Sequence, residues 1–326
     1  MGNIRYWLLG LQALFVLCLA AVSDRPIPFE FSRPMAAAMF IWCFGLAFLG
    51  FRLCWVLARA GKPVSHLPGA FRQEFPLIGR SFQWAIILGL AMALHGWGKS
   101  MIPHVTGGFW ADPYLANIDH AIFGTDPWRL VRSEFMSPIY AKAYVSWFAI
   151  TFATMGVLAF GTNPDNQRIL TLYLATLILG GTIGQYVLPS AGPIFYELVG
   201  FGPRFHELVA TNDPTYSGFA KYLWRHFSTG SADIGTGISA MPSMHVSMSV
   251  WTVIAARAIW KPLMIPAILY ALTVWLGSIA SGWHYATDGI VGAAIVLSLH
   301  HVLVKRPAKR REAALQAQPE VVASPA

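Results

Sequence analysis

The chain has 326 residues, of which 56% are hydrophobic and only 12% charged, with a formal net charge of +8. Soluble domains carry about a quarter charged residues. The deficit, together with repeated long apolar runs, excludes a soluble multi-domain protein and reads as a polytopic membrane protein. The positive charge belongs with cytoplasmic loops, which gather Lys and Arg, and gives no ground for a nucleic-acid partner. Cys18, Cys43 and Cys54 fall inside apolar runs and read as small hydrophobic packing residues rather than disulfides or metal ligands.

About eight spans follow in chain order, near 5–22, 35–57, 82–99, 139–160, 169–188, 243–260, 263–281 and 285–304. Each has about the length needed to cross ~30 Å of hydrocarbon as a helix. Only helices satisfy their own backbone there, so the expected fold class is all-α. The first span also has a signal-peptide reading, with Arg5 ahead of the apolar stretch and small residues at Ala20–Ala21. With the N-terminus inside, the inner segments hold 13 of the 23 Lys and Arg residues. That bias places both termini in the cytoplasm.

The outer segment from Lys99 to Ser137 is more polar, with Asp112, Asp119 and Asp126 and several Pro and Gly breaks. It reads as a lid or loop over the outer helix ends, with room for a short interfacial helix. A second outer segment, Pro189 to Ala240, leads into the first histidine motif. The tail from Pro307 is basic, then Ala-, Gln- and Pro-rich, and is expected to be disordered along anionic lipid heads.

Two motifs carry the chemistry. In Pro242–Ser243–Met244–His245, proline suits a helix start, whose free N–H groups form an anion site. Ser243 adds a hydroxyl donor, and His245 is placed to protonate a leaving alkoxide. In the second motif, His284 and Asp288 stand four residues apart and would share a helix face. The carboxylate would hold the Nδ1 hydrogen and leave Nε2 as a nucleophile. One out–in–out hairpin separates the histidines, so both return to the same outer membrane face, where two imidazoles can flank one phosphorus. The remaining histidines show no metal spacing, and neither a metal nor another cofactor is assigned.

These residues resemble the type 2 phosphatidic acid phosphatase (PAP2) superfamily. Its Ser-x-His motif matches Ser243 and His245, and the His-x-x-x-Asp end of its third motif matches His284 and Asp288. The resemblance implies a six-helix core over residues 82–306. Residues 1–81 then form two additional N-terminal helices and a basic cytoplasmic loop, and residues 307–326 the tail. It also implies a phosphohistidine on His284, protonation of the leaving group by His245, and orientation of His284 by Asp288.

Three of the family's cations are absent. With the first motif aligned on Pro193, its Lys position is Gln185 and its Arg position is Gly192, and the Ser-Arg that opens the third motif is Gly277 and Ser278. Gln185 and Ser243 remain as phosphate contacts. Arg204, Lys221 or Arg225 of the outer loop are the candidates to fold back and supply charge. Together with LPSAGP ahead of the first histidine motif, this pattern is similar to the branch with the fungal inositol phosphorylceramide synthases. A pocket short of cations suits a phosphodiester, with one charge, better than a monoester, with about two. The expectation is therefore an inositolphosphotransferase-like membrane enzyme acting on a lipid substrate. Lipid phosphate hydrolysis (of phosphatidic acid or a polyprenyl phosphate) is the alternative, and a proton-coupled transporter the alternative from another class. No motif encodes the lipid, the acceptor or the oligomeric state.

Overall fold

The structure is a computed structural model and describes residues 3–23, 32–230 and 235–307. The part of the expected tail from residue 308 onward lies outside the described residues. The described chain is all-α: α1 (Ile4–Ser23), α2 (Ser32–Arg59), α3 (Leu67–Gln73), α4 (Phe75–Val105), α5 (Asp112–Phe123), α6 (Trp128–Val131), α7 (Ser137–Ala159), α8 (Asp165–Ala175), α9 (His206–Ala210), α10 (Pro214–Thr229), α11 (Met244–Ile259), α12 (Met264–Ala280) and α13 (Ala286–His300). A π-helical stretch, Thr176–Ile183, prolongs α8, and another, His301–Lys305, prolongs α13.

Among the described residues, seven helical runs are long and apolar enough to cross a membrane. They are α1, α2 from Pro34, α4, α7, Asp165–Tyr186, Lys261–Ala280 and Ala286–Lys305. The chain is thus an integral membrane protein. The sixth span expected from sequence, α11, has 16 residues. At 1.5 Å per residue that is about 24 Å, short of the ~30 Å slab. At its N-terminal end the start of α13 packs beside it, with the Ser243 N–H bonded to the Asp288 carbonyl.

Lipid tails are as apolar as leucine, so membrane helices associate through close packing rather than hydrophobic exclusion. Gly45 of α2 meets Gly156 of α7 so closely that a Cβ on Gly156 would lie 2.7 Å from the Gly45 nitrogen. Gln12 of α1 is fully buried and donates to the Ala91 carbonyl (2.9 Å) and to Thr182 Oγ1 (2.8 Å), which fixes α1 against α4 and the π stretch. Asp165–Tyr186 runs through the middle of the bundle and is mostly buried. Large apolar side chains such as Leu14, Phe51, Phe148 and Leu297 face outward, where acyl chains would lie. Cys18, Cys43 and Cys54 are exposed on α1 and α2, facing lipid instead of filling the core as expected.

Two expectations shift with consequence. α4 does not end at residue 99 but continues to Val105 and stops ahead of Gly107 and Gly108, both at positive φ. Lys99 therefore lies inside the helix. The outer segments are a helical roof with cores of their own, rather than loose loops. One core joins Leu115, Trp128, Tyr196, Phe205, Leu208 and Tyr285; another joins Ile102, Phe109, Ala191, Ile194, Phe195 and Ile238.

Candidate active site

Ser243 is the N-cap of α11, in extended conformation, with its Oγ accepting the Val246 N–H at 3.4 Å. Pro242 precedes this cap instead of opening the helix. His245 is the second residue of α11. Its ring stacks on Tyr144 of α7 (centroids 4.2 Å apart, 21° between planes) and packs against Trp147 at 4.5 Å. The Tyr144 hydroxyl lies 3.1 Å from His245 Nδ1, and Trp147 Nε1 donates to the His245 carbonyl at 3.0 Å. These contacts hold the ring in one orientation with Nε2 left over.

His284 lies just before α13, whose N-cap is Tyr285, so it does not share a helix with Asp288 as expected. The ring still reaches the carboxylate: Nδ1 is 3.4 Å from Asp288 Oδ2. Its shorter contact is with the Ala240 carbonyl, at 2.9 Å. Asp288 Oδ2 also accepts the Tyr285 N–H at 2.9 Å, and its backbone carbonyl accepts the Ser243 N–H at 3.1 Å. The second motif is thereby tied to the cap of the first. A hydrogen on Nδ1, donated to Ala240, leaves the Nε2 lone pair free. Burial holds the His284 imidazole down to about 3, the positive charge of Lys99 adds to this, and the bond to Ala240 opposes it.

The two rings meet, with centroids 6.1 Å apart. Of two neighbouring imidazoles, one can attack a phosphoryl group while the other protonates its leaving oxygen.

Two roof carboxylates organise these segments. Asp112 accepts from the N–H groups of Ala191 (2.7 Å) and Gly192 (2.9 Å) and from the Tyr285 hydroxyl (2.7 Å). Asp119 accepts from the N–H groups of Ala286 (2.5 Å) and Thr287 (3.0 Å) at the start of α13. Burial raises both carboxyls, Asp112 to about 6, against the pull of the hydrogen bonds they accept.

The same contacts explain the missing cations. Gly192 has φ +93°, and a Cβ there would lie 2.5 Å from the Trp283 carbonyl oxygen, so no arginine fits. A Cβ on Gly277 would come within 2.9 Å of Tyr140 Cβ. Ser278 is fully buried; its Oγ donates to the Trp275 carbonyl and its own carbonyl accepts the His284 N–H. Arg204 is engaged by Asp126 at 2.6 Å and by Asn117 at 2.7 Å, while Lys221 and Arg225 are exposed on α10. Gln185 is buried in the short turn Gly184–Tyr186, and among the described residues its Oε1 has no hydrogen-bond partner.

A family model described as the PAP2 superfamily matches residues 119–302, more than half of the chain. The chain belongs to the PAP2 superfamily. Membership makes it a phosphatase- or phosphotransferase-type enzyme of lipid phosphates. No curated protein and no solved structure matches this PAP2 chain. The match covers both histidine motifs but not α4.

Sequence reasoning missed Lys99, part-buried on α4, whose charge acts on both His245 and His284. The available signal was a lone lysine one turn after His95 in an otherwise uncharged run, because ionisable groups inside spans are rarely idle. It also missed Tyr144, Trp147 and the Ala240 carbonyl, which set the two rings.

Proposed function

We propose that this PAP2 enzyme transfers a phosphorylated head group from a phosphodiester lipid to an alcohol, through a phosphohistidine on His284, on the non-cytoplasmic face of the membrane. The observation that carries this reading is the 6.1 Å pairing of the two imidazoles, with His284 Nδ1 bonded to Ala240 and Nε2 therefore free.

In the first step His284 Nε2 attacks phosphorus. A P–N bond forms as the P–O bond to the diacylglycerol-type leaving group breaks. A protonated His245 gives its Nε2 proton to the departing alkoxide, while its Nδ1–H faces the Tyr144 oxygen. The incoming phosphate supplies the negative charge that favours protonation of a buried imidazole. In the second step neutral His245 takes the proton of the acceptor hydroxyl. That oxygen attacks phosphorus, the P–N bond breaks, and His284 regains its lone pair. Asp288, beside Nδ1, favours the positive character the ring gains while phosphorylated.

Charge supports the diester. Each family cation position is blocked or neutral, Arg204 is engaged by Asp126, and Lys221 and Arg225 face solvent. Among the described residues, Lys99 is the cation whose field reaches both histidines. One ammonium balances one diester charge and leaves a monoester under-compensated. The outward assignment rests on the bias of Lys and Arg toward the opposite side.

The test incubates purified protein with a phosphatidylinositol-type lipid plus an alcohol acceptor, and separately with phosphatidic acid, reading products by mass. Faster turnover of the diester, with the head group found on the alcohol, is expected. A clear preference for phosphatidic acid moves the enzyme to the phosphatase side of the family.

A further inference from the structure

The family's first-motif lysine has no counterpart at Gln185, yet the site is not without a cation. We propose that Lys99 of α4, a helix outside the matched family region, is the phosphate-binding cation of this site. The assignment rests on the phosphoryl-transfer reading of the two histidines.

Four observations converge on it. The turn that carries Gln185 lies against α4 beside Lys99: the hydroxyl of Tyr186, the next residue, donates to the Gly98 carbonyl at 2.5 Å. A charge lost at 185 is thus restored from the adjacent helix. The loop ahead of Ser243 packs on the lysine stem, since a Cβ on Gly237 would sit 3.1 Å from Lys99 Cγ. Three residues on, the Ala240 carbonyl of that loop holds His284. Lys99, the loop and the nucleophile are therefore contiguous. The positive charge of the ammonium also bears on both His245 and His284, which stand on two different segments. Finally, among the described residues no carboxylate pairs with Lys99. The buried Ser239 Oγ and Trp283 Nε1, next to Ala240 and His284 in the chain, likewise have no partner. An ammonium without a carboxylate partner, and two unpartnered donors adjacent in the chain to the residues that fix His284, are groups that phosphate oxygens would satisfy.

The competing reading is a lysine that snorkels to the interface from a helix end. α4 continues six residues past it to Val105, and the Gly237 loop packs on its stem, so Lys99 is held against the catalytic loop and is not at the free end of its helix.

Orthovanadate, a mimic of pentavalent phosphorus, is the probe. With full-length protein, Lys99→Met is expected to weaken vanadate inhibition by roughly 10- to 150-fold, the range of a lost charge-assisted hydrogen bond, with an unchanged melting temperature. Equal inhibition of Lys99→Met and wild type overturns the assignment while leaving the histidine reading intact. A wild type indifferent to vanadate sinks both. Acylation of the unmodified protein, read residue by residue by mass spectrometry, keeps the test independent of how the variant folds. Vanadate should slow labelling of Lys99 and leave exposed Lys221 unaffected. Equal labelling of Lys99 with and without vanadate also overturns the proposal.

Discussion

Replacing Asp288 by asparagine separates two ways of orienting His284. Were the carboxylate the sole partner of Nδ1, the substitution would scramble the tautomer and cost about 10⁴-fold, as in hydrolases where an aspartate alone fixes the histidine. Here the Ala240 carbonyl holds Nδ1 at 2.9 Å and the carboxylate stands off at 3.4 Å. The tautomer therefore survives in Asp288→Asn, and the asparagine carbonyl still accepts the Tyr285 N–H. What is lost is the charge facing the positive ring of the proposed phosphohistidine. One charge-assisted contact is worth about 1.5–3 kcal/mol, or roughly 10- to 150-fold in kcat, with KM little changed. Steady-state turnover of a fluorescent lipid phosphodiester measures both constants. A loss near 10⁴-fold would show that the carboxylate and not the carbonyl orients the ring; wild-type kcat would remove Asp288 from the chemistry.

His284→Ala should abolish turnover while the protein remains folded in the membrane, and a labelled donor should leave an acid-labile, base-stable label on wild type but not on this variant. His284, the proposed nucleophile, is already neutral well below physiological pH, since burial holds its imidazole at about 3 against an ordinary 6.5. The unfolded chain takes up that proton below pH 6.5 and the folded chain does not. This histidine's support for the fold is therefore complete above pH 6.5 and is lost progressively as pH falls toward 3. Melting temperatures from pH 7 to 4 should fall more steeply for wild type than for His284→Gln, and parallel curves would contradict the assigned shift. Asp119→Ala leaves the Ala286 and Thr287 N–H groups without their acceptor, and should lower stability by about 1–2 kcal/mol, as for a lost helix cap, read as a lower melting temperature.

The fold was legible because apolar runs of spanning length admit only helices: all eight expected runs are helical, seven of them long enough to span, while the sixth, α11, falls short. His245 and His284 were legible from motif spacing. The residues that set their geometry were not, for distinct physical reasons. Tyr144 and Trp147 sit on an apolar helix and look like any lipid-facing aromatic. The Ala240 acceptor is a backbone carbonyl and leaves no mark in residue type. Asp112 bonds Tyr285 across 173 positions of chain, so its role appears only after folding. Lys99 was read as the end of a span because its helix runs further than the apolar stretch.

Asp112 and Asp119 stand seven residues apart on α5, close to two full turns, which aims both carboxylates toward the catalytic segments. Inserting or deleting one residue between them would swing one acid about 100° around the helix axis and release either the turn at 191–192 or the start of α13. The roof should accordingly accept many exchanges on its outer surface, yet resist any change in its length.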